Sequence, residues 1–164
     1  MKRKVCLLGA FAAGKTSLVR RVLHGTFSED YLTTVGVRID KLDLQVDRTP
    51  VELVVWDLHG QDRFQSVQAS YLHGSSGFLV VVDLSRPDTL EVGRELARRA
   101  RAAVGEVPLV WVFNKSDLVG SDVGADAQGS DAVRTSARTG AGVEEAFLTL
   151  AERLVASGGA RDAR

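Results

Sequence analysis

The sequence predicts a three-layer α/β/α fold whose central sheet is mostly parallel, with one antiparallel edge strand. Short apolar runs alternate with helix-like stretches along the chain, which is typical of β-α-β units. The runs 78–82 and 109–113 contain only apolar residues, as strands covered by helices on both faces require. Apolar and polar residues alternate over 42–46, which favours a hairpin strand at the edge of the sheet.

Other elements follow from the same patterns. The apolar runs predict strands and the stretches between them predict helices, namely strands 4–8, 78–82 and 109–113 and helices 15–23, 89–103 and 143–155. The region 118–133 has no apolar periodicity and many turn-forming residues, so we expect a loop with at most one helical turn.

The edge hairpin carries one irregularity in its pattern. A turn should join the strand at 42–46 to a second strand at 51–56. Val37 and Ile39 are out of phase with this alternation, because they fall on the opposite face from the apolar residues that follow. The pattern therefore predicts a bulge or strand break near Asp40–Lys41.

Length and charge exclude several classes of protein. A chain of 164 residues favours one compact domain, expected at 1–157 with a short flexible C-terminal tail at 158–164. The 21 basic residues balance 21 acidic ones, so no overall field attracts nucleic acid or an anionic membrane. No apolar run approaches the ~20 residues of a membrane span, and no lipidation signal is present, so we expect a cytoplasmic protein without a direct lipid anchor.

Residues 9–16 fit the phosphate-loop pattern G-x-x-x-x-G-K-[ST], directly after a strand and at the start of a helix. The glycines let successive N–H groups converge on phosphate oxygens, Lys15 reaches the β/γ oxygens and Thr16 ligates Mg²⁺. Binding of a nucleoside triphosphate is therefore predicted, although kinases, ATPases and GTPases share this loop. The predicted nucleotide contacts here are Gly9, Ala12, Ala13, Gly14, Lys15, Thr16 and Ser17.

A second motif, at 114–117, follows a central strand at the sheet edge where ligands of open α/β folds bind. The carboxylate of Asp117 can accept two hydrogen bonds from guanine, whereas adenine would leave it unpaired, so discrimination by ~10⁴ is plausible. The segment at 135–138 should support this loop and offer the Ala137 N–H to guanine O6. The predicted base-side contacts are Asn114, Lys115, Asp117, Ser136, Ala137 and Arg138.

With these motifs the chain resembles the Ras superfamily of small GTPases over residues 2 to about 156. The resemblance is closest to Rab-like members, including the Rab-like small GTPases of bacteria. It also rests on three further segments, Tyr-Leu-Thr-Thr-Val-Gly at 31–36, Trp-Asp-Leu-His-Gly-Gln-Asp at 56–62 and Ser-Tyr-Leu-His-Gly at 70–74. The family implies a P-loop NTPase fold, with GTP or GDP and Mg²⁺ as cofactors.

The resemblance also implies roles for single residues. Thr34 would bind Mg²⁺ through its hydroxyl and the γ-phosphate through its N–H, while Asp57 would hold the metal through water. Gly60 would contact the γ-phosphate, Phe27 would pack against guanine, and Gln61 would orient the attacking water. The implied metal ligands are Thr16, Thr34 and Asp57, and the implied catalytic residues are Lys15, Thr34, Gly60 and Gln61.

Three departures from the family pattern stand out. Phe11 occupies a loop position where relatives carry a small residue, and its ring could crowd the γ-phosphate or exclude an arginine supplied by a partner. His59 replaces the usual small residue before Gly60, where it is either a pH-sensitive element or a solvated loop residue. The stretch 118–135 is shorter than the family uses for a helix and a strand, so one peripheral helix between the strand at 109–113 and the last strand should be curtailed or missing.

These features support a GTPase switch, slow unless stimulated, whose loops at 28–40 and 58–72 contact a protein effector, an accelerating protein (GAP) and an exchange factor (GEF). One alternative is a GTP-bound scaffold with negligible hydrolysis because of Phe11. A second is a P-loop kinase for a small molecule, which is disfavoured because no basic lid for a second substrate is present and 114–117 specifies guanine.

Overall fold

The computed structural model describes residues 1–23, 31–32, 37–58, 69–124 and 132–162. Its strands are β1 (Lys2–Gly9), β2 (Tyr31–Leu32), β3 (Arg38–Val46), β4 (Thr49–Asp57), β5 (Gly77–Asp83), β6 (Leu109–Asn114) and β7 (Ala132–Arg134). Its α-helices are α1 (Lys15–Val22), α2 (Ala69–Leu72), α3 (Asp88–Val104) and α4 (Val143–Asp162), and a 3₁₀ turn covers Ser116–Leu118.

The strands form one sheet in the order β2-β3-β4-β1-β5-β6-β7. The pairs from β4 to β7 are all parallel, whereas β3 pairs with β4 in antiparallel register from Arg38 opposite Asp57 to Val46 opposite Thr49. The predicted fold class is confirmed. The two-residue strand β2, antiparallel to β3, takes the outermost position on that side.

Two apolar clusters cover the two faces of the sheet. The larger one joins α1 and α4 to the sheet through residues such as Leu18 and Phe147. The smaller one joins α2 and α3 through residues such as Leu72 and Leu96. The side chains of β5 are buried along its whole length, which explains its uninterrupted apolar sequence.

The bulge predicted near Asp40–Lys41 is wrong, because β3 pairs with β4 without interruption. Apolar residues change face along β3 because both faces are covered. Ile39 packs on the cluster with α2 and α3, whereas Leu42 belongs to the cluster with α1 and α4. An ion pair of 3.2 Å joins Arg38 to buried Asp40 at the start of β3. Both residues lie on the same side of the strand as Leu42.

Helix α4 continues to Asp162, past the predicted end at 155 and past the domain boundary placed at 157. Positions 158–162, predicted as part of a flexible tail, are thus helical in backbone. The domain division itself stays a prediction. In the predicted loop 118–133, the described positions up to 124 form the end of the 3₁₀ turn and a further turn, and residues 125–131 lie outside the described part of the chain.

Lys4 connects strand β4 to the end of α2. Its ammonium lies 3.7 Å from the centre of the Trp56 ring and donates hydrogen bonds to the carbonyls of Tyr71 (2.7 Å) and His73 (2.8 Å). Burial lowers the pKa of Lys4 below its usual value. Cys6 is a buried core residue. Within the described ranges, no helix is long and apolar enough to cross a membrane.

Candidate functional site

The sequence-predicted contacts lie at one edge of the sheet, where the parallel strands end. Strand β1 leads into the phosphate loop at Gly9, β4 ends on Asp57, β5 on Asp83 and β6 on Asn114. Because carboxyl ends of parallel strands share an edge, residues distant in sequence are adjacent here. This edge is the candidate nucleotide site.

The phosphate loop has a tightly constrained backbone. A Cβ at Gly9 would lie 2.5 Å from the Val81 carbonyl oxygen, and one at Gly14 would lie 2.2 Å from Nδ2 of Asn114. Gly14 has a φ of +104°, in the range that glycine tolerates best. Both glycines are therefore required by close approach, as the loop pattern predicts.

Lys15 opens helix α1 and is almost fully buried. Its ammonium donates to the carbonyls of Gly9 (3.0 Å) and Ala10 (3.2 Å), so its charge lies inside the curl of the loop. An ammonium there, together with the N-terminal end of α1, makes this loop electropositive. The arrangement suits the oxygens of a polyphosphate.

Thr16 and Asp57 form the polar pair beside the loop. The Thr16 hydroxyl donates to Oδ2 of Asp57 over 2.5 Å, and Asp57 is fully buried. Among the described residues, Oδ1 of Asp57 is a buried oxygen without a hydrogen-bond partner. A hydroxyl and a buried carboxylate are oxygen donors of the kind Mg²⁺ prefers, so this pair fits that ion.

Other ligands would be needed to complete such a site. In the described ranges, no group of three or more His, Cys, Asp or Glu side chains is arranged to hold a metal. Mg²⁺ characteristically keeps several waters and binds through few carboxylates together with substrate phosphates. A site with one carboxylate and one hydroxyl from this part of the chain is consistent with that behaviour.

Asn114 bridges the two halves of the site. Its side-chain Nδ2 donates to the Ala13 carbonyl in the phosphate loop over 3.0 Å. Its Oδ1 accepts hydrogen bonds from the Thr135 hydroxyl (3.0 Å) and the Ala137 N–H (3.2 Å). Asn114 is buried, so these bonds are sheltered from water and fix the 135–137 segment against the phosphate loop.

Lys115 forms a second bridge. Its ammonium donates to the Ala12 carbonyl over 3.0 Å and pairs with Oδ2 of Asp83 at 2.8 Å. The residue has a φ of +63°, an uncommon conformation for a side chain with a Cβ. That backbone turn directs the chain from β6 into the 3₁₀ turn that carries Asp117.

Asp83 is a fully buried carboxylate at the end of β5. Burial alone would raise its pKa, but hydrogen bonds from Lys115, Ser85 and Arg86 lower it further than burial raises it. The net pKa lies well below the ordinary value of 3.8, so Asp83 is ionised at neutral pH. It is an anionic anchor for the cations around the loop.

Two adjoining cavities open at this edge. One, of about 410 Å³, is lined by Gly14, Ser17, Asn114, Lys115, Asp117, Leu118, Ala137 and Arg138. The other, of about 280 Å³, is lined by Phe11, Ala12, Gly14, Lys15, Thr16, Ser17 and Lys115. Because Gly14, Ser17 and Lys115 line both, a ligand with a base at one end and phosphates at the other can span them.

The structure thus brings the predicted phosphate-loop and base-side residues together in one site. Phe11 lines the smaller cavity and is 47% exposed, so its ring is not part of the core. Several predicted positions lie outside the described residues: Phe27, Thr34, His59, Gly60 and Gln61. Their roles stay predictions.

Sequence reasoning missed Asp83 and Arg86. Arg86 donates to Oδ2 of Asp83 over 2.9 Å and to the Phe11 carbonyl over 2.6 Å. An acidic residue that ends an otherwise apolar strand at the ligand-binding edge was the available signal, because a buried carboxylate requires partners.

Comparison with known proteins supports the same assignment. Residues 4–156 match the sequence model of the Ras family. The chain is also 32% identical over 160 residues to the GTP-binding protein ypt1 of Schizosaccharomyces pombe. That alignment covers 92% of this chain and 79% of the yeast protein.

Proposed function

The chain belongs to the Ras family as a Rab-like GTP-binding switch protein and GTPase, and we propose that it works through Mg²⁺ and two nucleotide-dependent loops. In this proposal GTP orders the segments around Thr34 and Gly60, a partner binds that form, and hydrolysis to GDP and phosphate ends it. Unassisted hydrolysis in such proteins can be as slow as ~10⁻⁴ s⁻¹, and accelerating proteins add up to ~10⁵-fold.

The observation that carries this proposal is the Asn114 bridge between the base side and the phosphate side. It places the Asp117 loop and the phosphate loop around two adjoining cavities. The buried hydrogen bonds of Asn114 therefore fix the spacing between the Asp117 loop and the phosphate loop. That geometry supports a ligand with a base at one end and phosphates at the other, as in a guanine nucleotide.

On the base side, Asp117 would accept the N1–H and the exocyclic amine of guanine. Ser136 donates to Oδ1 of Asp117 over 2.8 Å and so orients the carboxylate. Arg138 lies 4.0 Å away with an 81% exposed side chain, so its screened charge contributes little to that orientation. The Ala137 N–H donates to Oδ1 of Asn114 over 3.2 Å, and in this proposal it would turn to guanine O6 when the nucleotide binds.

On the phosphate side, Lys15 would bind the β- and γ-phosphate oxygens, and Thr16 with Asp57 would hold Mg²⁺. When bound, the metal would neutralise charge on the phosphates and help to orient them. The chain's own residues supply the rest: backbone N–H groups of Ala12, Ala13 and Gly14, the Lys15 ammonium, and, at positions outside the described ranges, Thr34 and Gly60.

For hydrolysis we propose that Gln61 orients the attacking water, since phosphoryl transfer requires mainly positioning and charge stabilisation. The half-exposed Phe11, which lines the smaller cavity, would then limit the access of any arginine donated by a partner. The scaffold alternative has no observation in its favour. Family membership sets aside the small-molecule kinase.

Regulators and effectors are general partners of this family. For this chain we propose that an effector, a GAP and a GEF bind the loops at 28–40 and 58–72. The described part of these loops includes half-buried Ile39 and Tyr71, which pack on the cluster with α2 and α3. Cytoplasmic action without a direct lipid anchor is part of the same proposal.

Single-turnover hydrolysis of γ-labelled GTP tests the proposed function. The wild-type chain should release phosphate slowly, Gln61→Leu should abolish release, and Gln45→Leu, an exposed residue of β3, should match wild type. Phe11→Gly should leave the Gln61 dependence intact. No release from wild type, with release gained in Phe11→Gly, would contradict the proposal and favour the scaffold.

A further inference from the structure

Arg86 holds the phosphate loop from the turn that follows β5. One terminal nitrogen, Nη2, donates to the Phe11 carbonyl over 2.6 Å, and Nε donates to Oδ2 of Asp83 over 2.9 Å. The two contacts use separate nitrogens of one planar guanidinium, so the group is held at both ends. Its side chain is 40% exposed, at the rim of the site.

The turn itself is rigid where it carries Arg86. The Arg86 N–H donates to the Asp83 carbonyl over 2.9 Å. The carbonyl of Arg86 accepts a 2.7 Å hydrogen bond from the hydroxyl of fully buried Thr89. The guanidinium therefore reaches the phosphate loop from a fixed point, which distinguishes it from an ordinary exposed ion pair.

One carboxylate oxygen serves two cations that act on neighbouring peptides. Oδ2 of Asp83 pairs with Arg86 Nε and also with Lys115 Nζ, which lies 2.8 Å away. Arg86 then holds the carbonyl of Phe11, while Lys115 holds the carbonyl of Ala12. The peptides on both sides of Ala12 are thus fastened to the same anion.

Ala12 is the residue of the loop that requires such support. Its φ of +60° is left-handed, which is unfavourable for any residue with a Cβ and persists only where the surroundings impose it. A trans peptide directs its C=O and N–H to opposite sides. Holding the Phe11 carbonyl on Arg86 therefore points the N–H of Ala12 away from the arginine.

We propose that Arg86 is a positioning residue for the phosphate loop, holding the Ala12 peptide in the orientation that binds the phosphates of a guanine nucleotide. Arg86 acts through the backbone of Phe11 and is not a catalytic residue. The inference rests on the proposed function, because it assigns Arg86 to the same nucleotide site. It predicts that loss of Arg86 loosens the loop without unfolding the domain, since Asp83 keeps Lys115 and Ser85 as partners.

The test is release of fluorescent GDP from the full chain, with hydrogen exchange of the same complexes. Arg86→Ala should release GDP roughly tenfold faster, the effect of losing one charge-assisted hydrogen bond. Exchange should rise in peptides that cover 9–16 and stay unchanged in α4. Arg86→Lys, which keeps the charge but lacks the fork, should fall between wild type and Arg86→Ala.

Arg94→Ala is the matched control, because Arg94 forms an exposed ion pair with Glu91 on α3 and lies outside the site. It should leave release and exchange at wild-type values. If Arg86→Ala does not fold, Arg86→Gln keeps a neutral donor of similar length and should show the same direction of change.

Two outcomes would overturn the inference alone: slow wild-type release that Arg86→Ala leaves unchanged, or exchange that rises equally in the loop and in α4. The second would mean a general loss of stability. A wild-type chain that retains no GDP would overturn the proposed function together with this inference, so the two failures are distinguishable.

Discussion

The hydroxyl of Ser136 donates a hydrogen bond to Oδ1 of Asp117 over 2.8 Å. Ser136 is buried, whereas Asp117 lines the larger of the two cavities, so the bond links a buried residue to the residue proposed to recognise the base. With its hydroxyl directed at the carboxylate, Ser136 restricts how Asp117 can turn. The remaining acceptor capacity of the carboxylate is then available to a base.

This relationship predicts a change of base preference. In Asp117→Asn the introduced amide can keep its oxygen on Ser136 and present its NH₂ group, which pairs with the 2-oxo group of xanthine and not with the guanine amine. We expect GTP affinity to fall on the order of 10²-fold and affinity for xanthosine triphosphate to rise. Competition against a fluorescent nucleotide measures both.

Asp122, an exposed residue in the turn that follows, provides the control. Asp122→Asn should change neither affinity. Unchanged GTP affinity in Asp117→Asn would contradict the assignment of the base side.

The Thr16–Asp57 pair predicts how nucleotide release depends on Mg²⁺. Chelation of Mg²⁺ should accelerate GDP release from the wild-type chain, because the pair would then lose its ion. Asp57→Asn removes the charge but keeps the shape of the side chain. This variant should therefore release GDP rapidly even before chelation, and chelation should change its release rate little. Stopped-flow release with and without EDTA measures this.

Asp43→Asn, an exposed position of β3, is the matched control and should behave as wild type. A wild-type release rate that chelation leaves unchanged would argue against Mg²⁺ at this pair.

The lowered pKa of Asp83 predicts a pH-dependent contribution to stability. The pKa of the Asp83 carboxyl is lower in the folded chain than its ordinary value of 3.8, which applies when the chain is unfolded. Its ionised form therefore stabilises the fold fully at pH values above 3.8, and this contribution is lost as the pH falls below 3.8 towards the folded pKa. Asp83→Asn should therefore lower the free energy of unfolding at pH 7. The difference from wild type should shrink on acidification below about 3.8.

Urea unfolding of both proteins across this range is the measurement. A difference between them that is constant with pH would show that Asp83 stabilises the fold by packing and not by its charge.

Substitution of Gly142, which lies just before α4, should cause a large steric clash. Its φ is +69°, and a Cβ there would lie 2.0 Å from the Arg134 carbonyl oxygen. Gly142→Ala should lower the free energy of unfolding by about 3 kcal/mol, from backbone strain and a clash with rigid backbone. Chemical denaturation monitored by circular dichroism measures the loss.

Gly74 allows the two causes to be separated. It has a φ of +77°, but among the described residues no atom beyond its chain neighbours lies within 4 Å of a Cβ placed there, so Gly74→Ala should cost only the strain, about 1 kcal/mol. Equal losses for the two variants would show that the close approach at Gly142 contributes nothing.

Sequence patterns predicted the sheet well because they depend on local rules. Strands such as β5 and β6 are covered on both faces, so their apolar runs identify them directly. The same reasoning failed at β3, where a change of face was interpreted as a bulge. Periodicity assumes that one face of an edge hairpin is exposed, and here Ile39 packs under α2 and α3 while Leu42 packs under α1 and α4.

The candidate site was predictable where a motif defines it and not where a tertiary contact does. The loop at 9–16 and the segment at 114–117 are contiguous patterns whose chemistry follows from their residue types. Arg86 belongs to no pattern, and its contact with the Phe11 carbonyl joins residues far apart in sequence. The length of α4 was also missed, because Ser157 and the glycines after it are poor helix formers that the helix nevertheless includes.

The contacts of Lys4 confine both ends of the chain segment that leads from β4 to α2. Trp56 is held under its ammonium at one end, and the carbonyls of Tyr71 and His73 are held at the other. One ammonium thus ties the end of strand β4 to the end of α2, although these two elements are separated along the chain. Loss of this single side chain would release both of those contacts at once.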